Sequence, residues 1–362
     1  MAALRGAIVG FGSVAEHGHW PGYRRSAAFR IVAIVDSAAT RRAAAGRLDP
    51  AVRVYGALDE LGRDDAIDFV DICTPPTGHA ALASEALGRG WHVLCEKPLT
   101  LDREQYRRLG GLAERVGRVL FTVHNWKMAP IVRAALEAVE GGAVGTIRDV
   151  QLFTWRDSHC KGAPQGARSA AGTAAAENWR LHRATAGGGV LVDHGWHAFY
   201  LVTSLVGGEP LRVRARLHVP SGGADALEDS ADVAVTFAGA SAQIHLTWRA
   251  PLRRNLIVVT GECGRVVLDD DRLLVMPQEG VWSERAFDTP LSGGSHHADW
   301  FGAVLDAFGR EAENPAARGA NLREAGWCVA LTEAAYRAAC DGDRSVEVEC
   351  PALGRPVVAS RP

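Results

Sequence analysis

Three side chains in this chain are typed and spaced for moving a proton on and off a hydroxyl. Lys97 closes the run Cys95-Glu96-Lys97, ahead of Pro98, while Asp193 and His197 stand in Gly187-Gly188-Gly189-Val190-Leu191-Val192-Asp193-His194-Gly195-Trp196-His197. On a helix their i,i+4 spacing puts a carboxylate and an imidazole on one face, where they can share a proton. Taking hydride from a secondary alcohol requires a group that accepts the hydroxyl proton, and the reverse reaction requires one that returns it. The same residues also suit an ordinary i,i+4 helix pair and a surface lysine at a strand end. His194-x-x-His197 and His17-x-His19 have the spacing of paired metal ligands, but no third ligand and no Cys-Cys-His spacing accompany them. No metal is expected.

A hydride carrier is implied upstream. Gly10-Phe11-Gly12-Ser13-Val14-Ala15 follows an apolar strand and opens a helical stretch, the context a dinucleotide fingerprint needs. The first glycine makes the tight turn, the second lets main-chain amides approach a pyrophosphate, and the small Ala15 lets helix and strand pack closely. Asp36 ends the next strand, about where the fingerprint places an acid, roughly 20 residues on; there a carboxylate accepts both ribose hydroxyls and repels a 2'-phosphate. NAD is therefore expected over NADP. Asp36 could also be a plain strand-ending turn residue, and Arg41 and Arg42 in the next helix could reach a 2'-phosphate. Thr74-Pro75-Pro76 forces an extended turn and offers a hydroxyl and a carbonyl near the nicotinamide ribose, with His79 opening the following helix.

The elements that must hold these groups alternate. Strands are predicted at 7–10, 30–36, 69–73, 92–96 and 119–123, with helices at 38–48, 78–87 and 103–116 between them, which implies right-handed βαβ units and a parallel sheet. Ligands of such sheets bind at the carboxyl ends of the strands, where Lys97 falls. After a helix at 129–140, consecutive β-rich runs at 147–155, 211–219, 231–237, 242–249, 256–260 and 265–268 predict a meandering antiparallel sheet with one covered face. One helix, 190–206, interrupts them. Residues 161–185 read as a mobile loop; Ser295 and Asn321 read as N-caps of helices 296–310 and 322–339, and 345–348 as a last strand.

Size and charge narrow the class. At 362 residues the chain exceeds what a single core usually spans, so two domains are expected, 1–124 and 125–362, with the terminal helix able to pack back on the first. Lys plus Arg total 40 against 42 Asp plus Glu, which leaves no electrostatic footprint for nucleic acid or an anionic membrane. Seven cysteines without paired spacing suit a reducing cytoplasm. The first residues leave no room for a secretory leader, and no run of about 18 apolar residues follows.

With Gly10 to Ala15, Asp36, Thr74-Pro75, His79, Glu96-Lys97-Pro98 and the Gly187 to His197 segment in order, the chain resembles the Gfo/Idh/MocA oxidoreductases over nearly its whole length. The resemblance implies an α/β Rossmann domain, a doubly wound parallel sheet, followed by an α+β domain with a large, mainly antiparallel, open-faced sheet. It implies hydride exchange between nicotinamide and a secondary alcohol or ketone of a sugar, inositol or sugar derivative. Lys97, Asp193 and His197 take the catalytic roles: His197 accepts the proton in oxidation, Asp193 orients it, and Lys97 holds the reacting oxygen and biases the histidine pKa downward. Gly10, Phe11, Gly12, Ser13, Val14, Asp36, Thr74, Pro75, His79, Glu96 and Lys97 would line the dinucleotide. Asn125, Lys127, Trp179, Arg180 and His194 would face the substrate, although His124-Asn125-Trp126-Lys127 departs from the arginine-rich strand end of relatives. The Lys97–Pro98 peptide would be cis, and the open sheet face, with Ile244, Leu246 and Trp248 or their neighbours, would meet another subunit in a homodimer or homotetramer. Superfamily alternatives are a glycosidase that oxidises its sugar transiently and a sensor that binds dinucleotide without chemistry.

Overall fold

Apolar runs that read as continuous rather than alternating form the first sheet. The strands are β1 (Leu4–Val9), β2 (Phe29–Val35), β3 (Arg53–Tyr55), β4 (Phe69–Ile72), β5 (His92–Cys95) and β6 (Leu120–Thr122). The computed structural model describes residues 3–62, 66–157, 179–221 and 226–349. The six strands pair in the order β3-β2-β1-β4-β5-β6, all parallel, the doubly wound order of dinucleotide-binding sheets. Helices α1 (Trp20–Arg25), α2 (Ala39–Leu48), α3 (His79–Gly88) and α4 (Arg103–Val116) connect them. Every residue of β4 and β5 is buried, as a sheet covered on both faces requires. The short β3 lay below the pattern that the sequence made visible.

The second sheet has nine strands. They are β7 (Ile147–Asp157), β8 (Pro210–His218), β9 (Ser230–Phe237), β10 (Ala240–Thr247), β11 (Arg249–Gly261), β12 (Gly264–Asp269), β13 (Arg272–Pro277), β14 (Ser283–Ala286) and β15 (Val346–Glu347). Their order is β14-β13-β12-β11-β7-β10-β9-β8-β15, antiparallel throughout except that β10 runs parallel to β7. Burial alternates along β9, the mark of a sheet covered on one face. The helices α5 (Pro130–Glu140), α6 (Arg183–Ala186) and α7 (Trp196–Val206) belong with this sheet. Ile244, Leu246 and Trp248 are 2%, 0% and 1% exposed, so they fill the sheet's own core. The outer face carries their neighbours Gln243 and His245, with Phe153 stacked on Trp155 at 5.3 Å.

Two compact units result, 1–128 with 294–326 and 129–293 with 327–350 among the described parts of the chain. The helices α8 (Ala298–Glu313) and α9 (Ala320–Cys340) lie in the chain between β14 and β15. On α8, Phe301, Val304, Leu305 and Phe308 enter the core beneath the parallel sheet, where Phe308 lies 5.7, 5.6 and 5.8 Å from the rings of Phe29, Phe69 and Phe121. Ser295 is not the cap of α8: the residue before the helix is His297, left-handed at φ 45° and stacked on Trp300 at 3.6 Å. Nor does Asn321 cap a helix beginning after it, because its amide accepts from Thr122 N at 2.7 Å and donates to Thr122 O at 3.0 Å. The loop expected over 161–185 falls largely outside the described residues; Trp179–Leu181 is a 3-10 turn leading into α6.

Phe308→Ala removes a side chain shared by three rings and should cost about 3 to 5 kcal/mol, measured as a lowered urea midpoint for unfolding of the full chain. A loss below about 1 kcal/mol would show that α8 is not integral to that core.

Candidate functional site

The dinucleotide turn is built by exclusion. Gly10 has φ +88°, and a Cβ there would lie 2.8 Å from Thr74 Cγ2 and 2.9 Å from Thr74 N, so only glycine fits. At Gly12 an added Cβ would meet nothing within 4 Å, leaving the open cradle a pyrophosphate needs. Ala15, fully buried, begins a π-helical turn, Ala15–His19. Phe11 turns its ring into the core against Trp20, and its N–H donates to Asp36 Oδ2 at 2.7 Å. Ala38 N donates to Asp36 Oδ1 at 2.8 Å. Each oxygen of the half-buried carboxylate retains a lone pair for a ribose hydroxyl.

Arg41 ties down this turn and Arg42 the one that follows β2. Arg41 Nε donates to Phe11 O at 2.6 Å and its guanidinium pairs with Glu16 at 3.1 Å, while Arg42 reaches Asp36 O and Ser37 O at 2.8 and 2.7 Å. Ser13 Oγ lies 3.1 Å from His296 Nε2. Thr74 Oγ1 is buried with no hydrogen-bond partner among the described residues, an orphan where the sequence places the nicotinamide end. Open cradle, orphaned hydroxyl and unsaturated carboxylate fit a dinucleotide, which Gly10 to Val14, Asp36 and the Thr74-Pro75 turn would hold. His79 has another part: it is buried, with Nδ1 2.7 Å from Pro98 O and Nε2 2.8 Å from Thr74 O. It lies between two turns. Burial pushes its pKa below the ordinary value despite both carbonyls.

At the end of β5 the Lys97–Pro98 peptide is cis. Glu96 does not face outward as a cofactor ligand would: its Oε2 accepts from Lys97 N at 3.1 Å and its Oε1 lies 3.0 Å from His19 Nε2. On its other side His19 Nδ1 sits 2.8 Å from Asp71 Oδ2, which also accepts from Tyr23 Oη at 3.0 Å. Burial would raise the Glu96 pKa, but the His19 hydrogen bond and charge and the Lys97 charge outweigh it and hold it low. For His19 burial works downward and loses to Asp71 and Cys73, so the ring is held well above its ordinary value. His19, Asp71 and Cys73 have ligand atoms within 4.8 Å of one another, bridged by hydrogen bonds. None of Asp71, Tyr23 or Cys73 was singled out for this cluster by sequence. The available signal was one carboxylate inside the apolar strand Phe69–Ile72.

In the second unit the glycine run is a packing requirement. A Cβ at Gly188 would strike the Tyr336 hydroxyl and Val192, and one at Gly189 the Glu228 carbonyl. Glu228, 1% exposed, accepts from Gly189 N at 2.8 Å and from Tyr336 Oη at 2.7 Å. Asp193 falls in a π-helical turn, Leu191–Gly195, and His197 in the first turn of α7. The wider winding breaks the α-helical register on which their alignment was expected. His197 Nδ1 lies 2.7 Å from Tyr200 Oη, whereas the Asp193 carboxylate comes within 3.4 Å of His194 Nδ1. His194 is buried and accepts from Trp248 Nε1 at 3.2 Å, a core contact in place of the substrate contact expected. Arg156, 2% exposed, is pushed down to about 10 by burial and Arg253 against the pull of Asp193 and Asp270.

The remaining substrate candidates divide. Asn125 Oδ1 is buried without a partner among the described residues. Lys127 pairs with Glu324 of α9, which also meets His124 Nδ1 at 2.6 Å; the expected substrate ammonium is an internal ion pair. Burial would raise Glu324, but His124 and Lys127 bring it down to about 2. Arg180 lies over the Trp179 ring at 4.3 Å, covering a face that a sugar would need.

Residues 4–124 match the model of an oxidoreductase family with an NAD-binding Rossmann fold, and residues 132–267 match the GFO/IDH/MocA C-terminal domain. The 1,5-anhydro-D-fructose reductase of Ensifer adhaerens is 26% identical over 355 residues, 95% of this chain and 98% of its own. The levoglucosan dehydrogenase of Pseudarthrobacter phenanthrenivorans is 29% identical over 264 residues, 64% of each chain. Among solved structures, GenD2 from gentamicin A biosynthesis, in complex with NAD, is similar with a TM-score of 0.79 at 25% identity, covering 96% of this chain and 97% of that one. No helix among the described residues is long and apolar enough to cross a membrane.

Two outcomes follow from this geometry. Gly12→Ala meets nothing in the free protein, so its melting temperature should stay within about 2 °C of the parent while NAD affinity falls at least about tenfold by calorimetry; unchanged affinity would remove Gly12 from the cradle. Glu324 has a depressed pKa, so its stabilisation is present above the ordinary carboxylate range and lost as pH falls toward about 2. Glu324→Gln should cost on the order of 3 kcal/mol in denaturant unfolding at pH 7, and the gap should shrink steadily below about pH 4.5.

Proposed function

The chain belongs to the GFO/IDH/MocA family of oxidoreductases, and on that premise we propose that it is an NAD-dependent dehydrogenase or ketoreductase acting on a secondary alcohol or ketone of a sugar, inositol or sugar derivative. The observation that carries the proposal is the first unit's strand ends: an open cradle at Gly12, a carboxylate at Asp36 and the Glu96-Lys97-Pro98 turn at the end of β5. The named relatives, a 1,5-anhydro-D-fructose reductase and a levoglucosan dehydrogenase, support a sugar-like substrate.

Bound NAD supplies the acceptor and donor of hydride. In oxidation the chain's own task is to remove the hydroxyl proton. We assign that step to His197 Nε2, since Nδ1 lies against Tyr200 Oη. The Lys97 ammonium would hold the reacting oxygen and favour its developing carbonyl, and Asp193 would bind a neighbouring hydroxyl. Asp36 would read the ribose: it repels a 2'-phosphate, and the two arginines nearest it already bond to the turn. The five described cysteines are free thiols, which supports a reducing cytoplasm. The sheet face bearing Phe153, Trp155, Gln243 and His245 supports a homodimer or homotetramer.

Purified protein would be screened at 340 nm with NAD and NADP against inositols, aldoses and sugar acids. Reduction with NAD preferred at least about tenfold, and lost by about a hundredfold or more in Lys97→Ala and in His197→Ala, is the expected result. Silence across the panel with NADH retained on the protein would instead indicate a transient-oxidation glycosidase or a dinucleotide sensor.

A further inference from the structure

The buried cluster behind the Glu96-Lys97-Pro98 turn is more elaborate than a turn needs. His19 ends the π-helical turn that begins at Ala15. Its ring is 2% exposed and stacked on Phe301 at a centroid distance of 4.0 Å and an interplanar angle of 19°. It lies between the carboxylates of Asp71, at 2.8 Å, and Glu96, at 3.0 Å. An ionised carboxylate only accepts, so a ring placed between two of them must donate from both nitrogens and carry a positive charge. Tyr23 fixes Asp71 from a second direction at 3.0 Å, and Cys73 Sγ stands 3.3 Å from the same His19 nitrogen. The free oxygen of Glu96 then holds the Lys97 main-chain N–H at 3.1 Å.

We propose that His19 is a positioning residue for catalysis: as an imidazolium it suspends the Glu96 carboxylate from Asp71, and through Glu96 it fixes the main chain from which Lys97 projects. One imidazolium thus connects the turn that cradles the dinucleotide with the turn that carries the lysine. The inference rests on Lys97 acting on the substrate oxygen. Its geometry does not, because it concerns groups within the first unit alone. A small displacement of a lysine anchor is enough to misplace an ammonium at the end of a long side chain, and misplacement by about 1 Å can cost on the order of a hundredfold in rate.

Two measurements test it. In the wild-type protein labelled at the histidine ring nitrogens, the His19 signals at pH 8 should show two protonated nitrogens; one bare ring nitrogen at that pH overturns the proposal, whatever the enzyme's substrate is. With a substrate from the 340 nm screen, His19→Gln and Glu96→Gln should each lower kcat at least about tenfold, with the NADH dissociation constant within about threefold of the parent. The double variant should lose no more than the worse single one, because both changes sever one chain of contacts. Additive losses with Lys97→Ala inactive would overturn the role of His19 and leave that of Lys97 standing. Full turnover by Lys97→Ala would fail both.

Discussion

Two carboxylates buried at the ends of neighbouring parallel strands repel one another, and each costs several kcal/mol to remove from water unless a cation and further donors compensate. Asp71 on β4 and Glu96 just past β5 are such a pair, and His19 lies between them. This arrangement ties three separate pieces of chain: the turn after β1, the end of β4 and the turn after β5. Around it the apolar rings of Tyr23, Phe69 and Phe301 exclude water, which strengthens the attraction and fixes its geometry. The main-chain N–H of Lys97 is held by the same Glu96 carboxylate.

The arginines near Asp36 show why cofactor preference follows from hydrogen-bond bookkeeping rather than from charge in the neighbourhood. Arg41 and Arg42 lie close enough to a ribose site to attract a phosphate, yet their donors serve main-chain carbonyls of the turn and Glu16. Asp36 keeps acceptor capacity in the same place. A neutral diol suits that set of groups better than a dianion does.

Much of this architecture is legible in the residues alone. The alternation of apolar strands with helices, the left-handed requirement at Gly10 and the acid at Asp36 specify a doubly wound sheet with a dinucleotide turn, because these are local demands met within a few residues of chain. Glu96-Lys97-Pro98 is legible for the same reason. The glycines at 187–189 are visible as a motif, but their reason, the approach of Tyr336 and Glu228, involves partners far along the chain.

Local composition and spacing therefore determined the fold class, the cofactor turn and the place of the Glu96-Lys97-Pro98 turn at a strand end. Tertiary structure alone decided what each polar group bonds to. Lys127 meets Glu324, His194 meets Trp248, Asn321 replaces a cap with a bridge to Thr122, and a π-helical turn alters the register between Asp193 and His197. The physical reason is common to all of them: a buried donor or acceptor must find a partner, and which one lies within 3 Å or so depends on segments brought together only by folding.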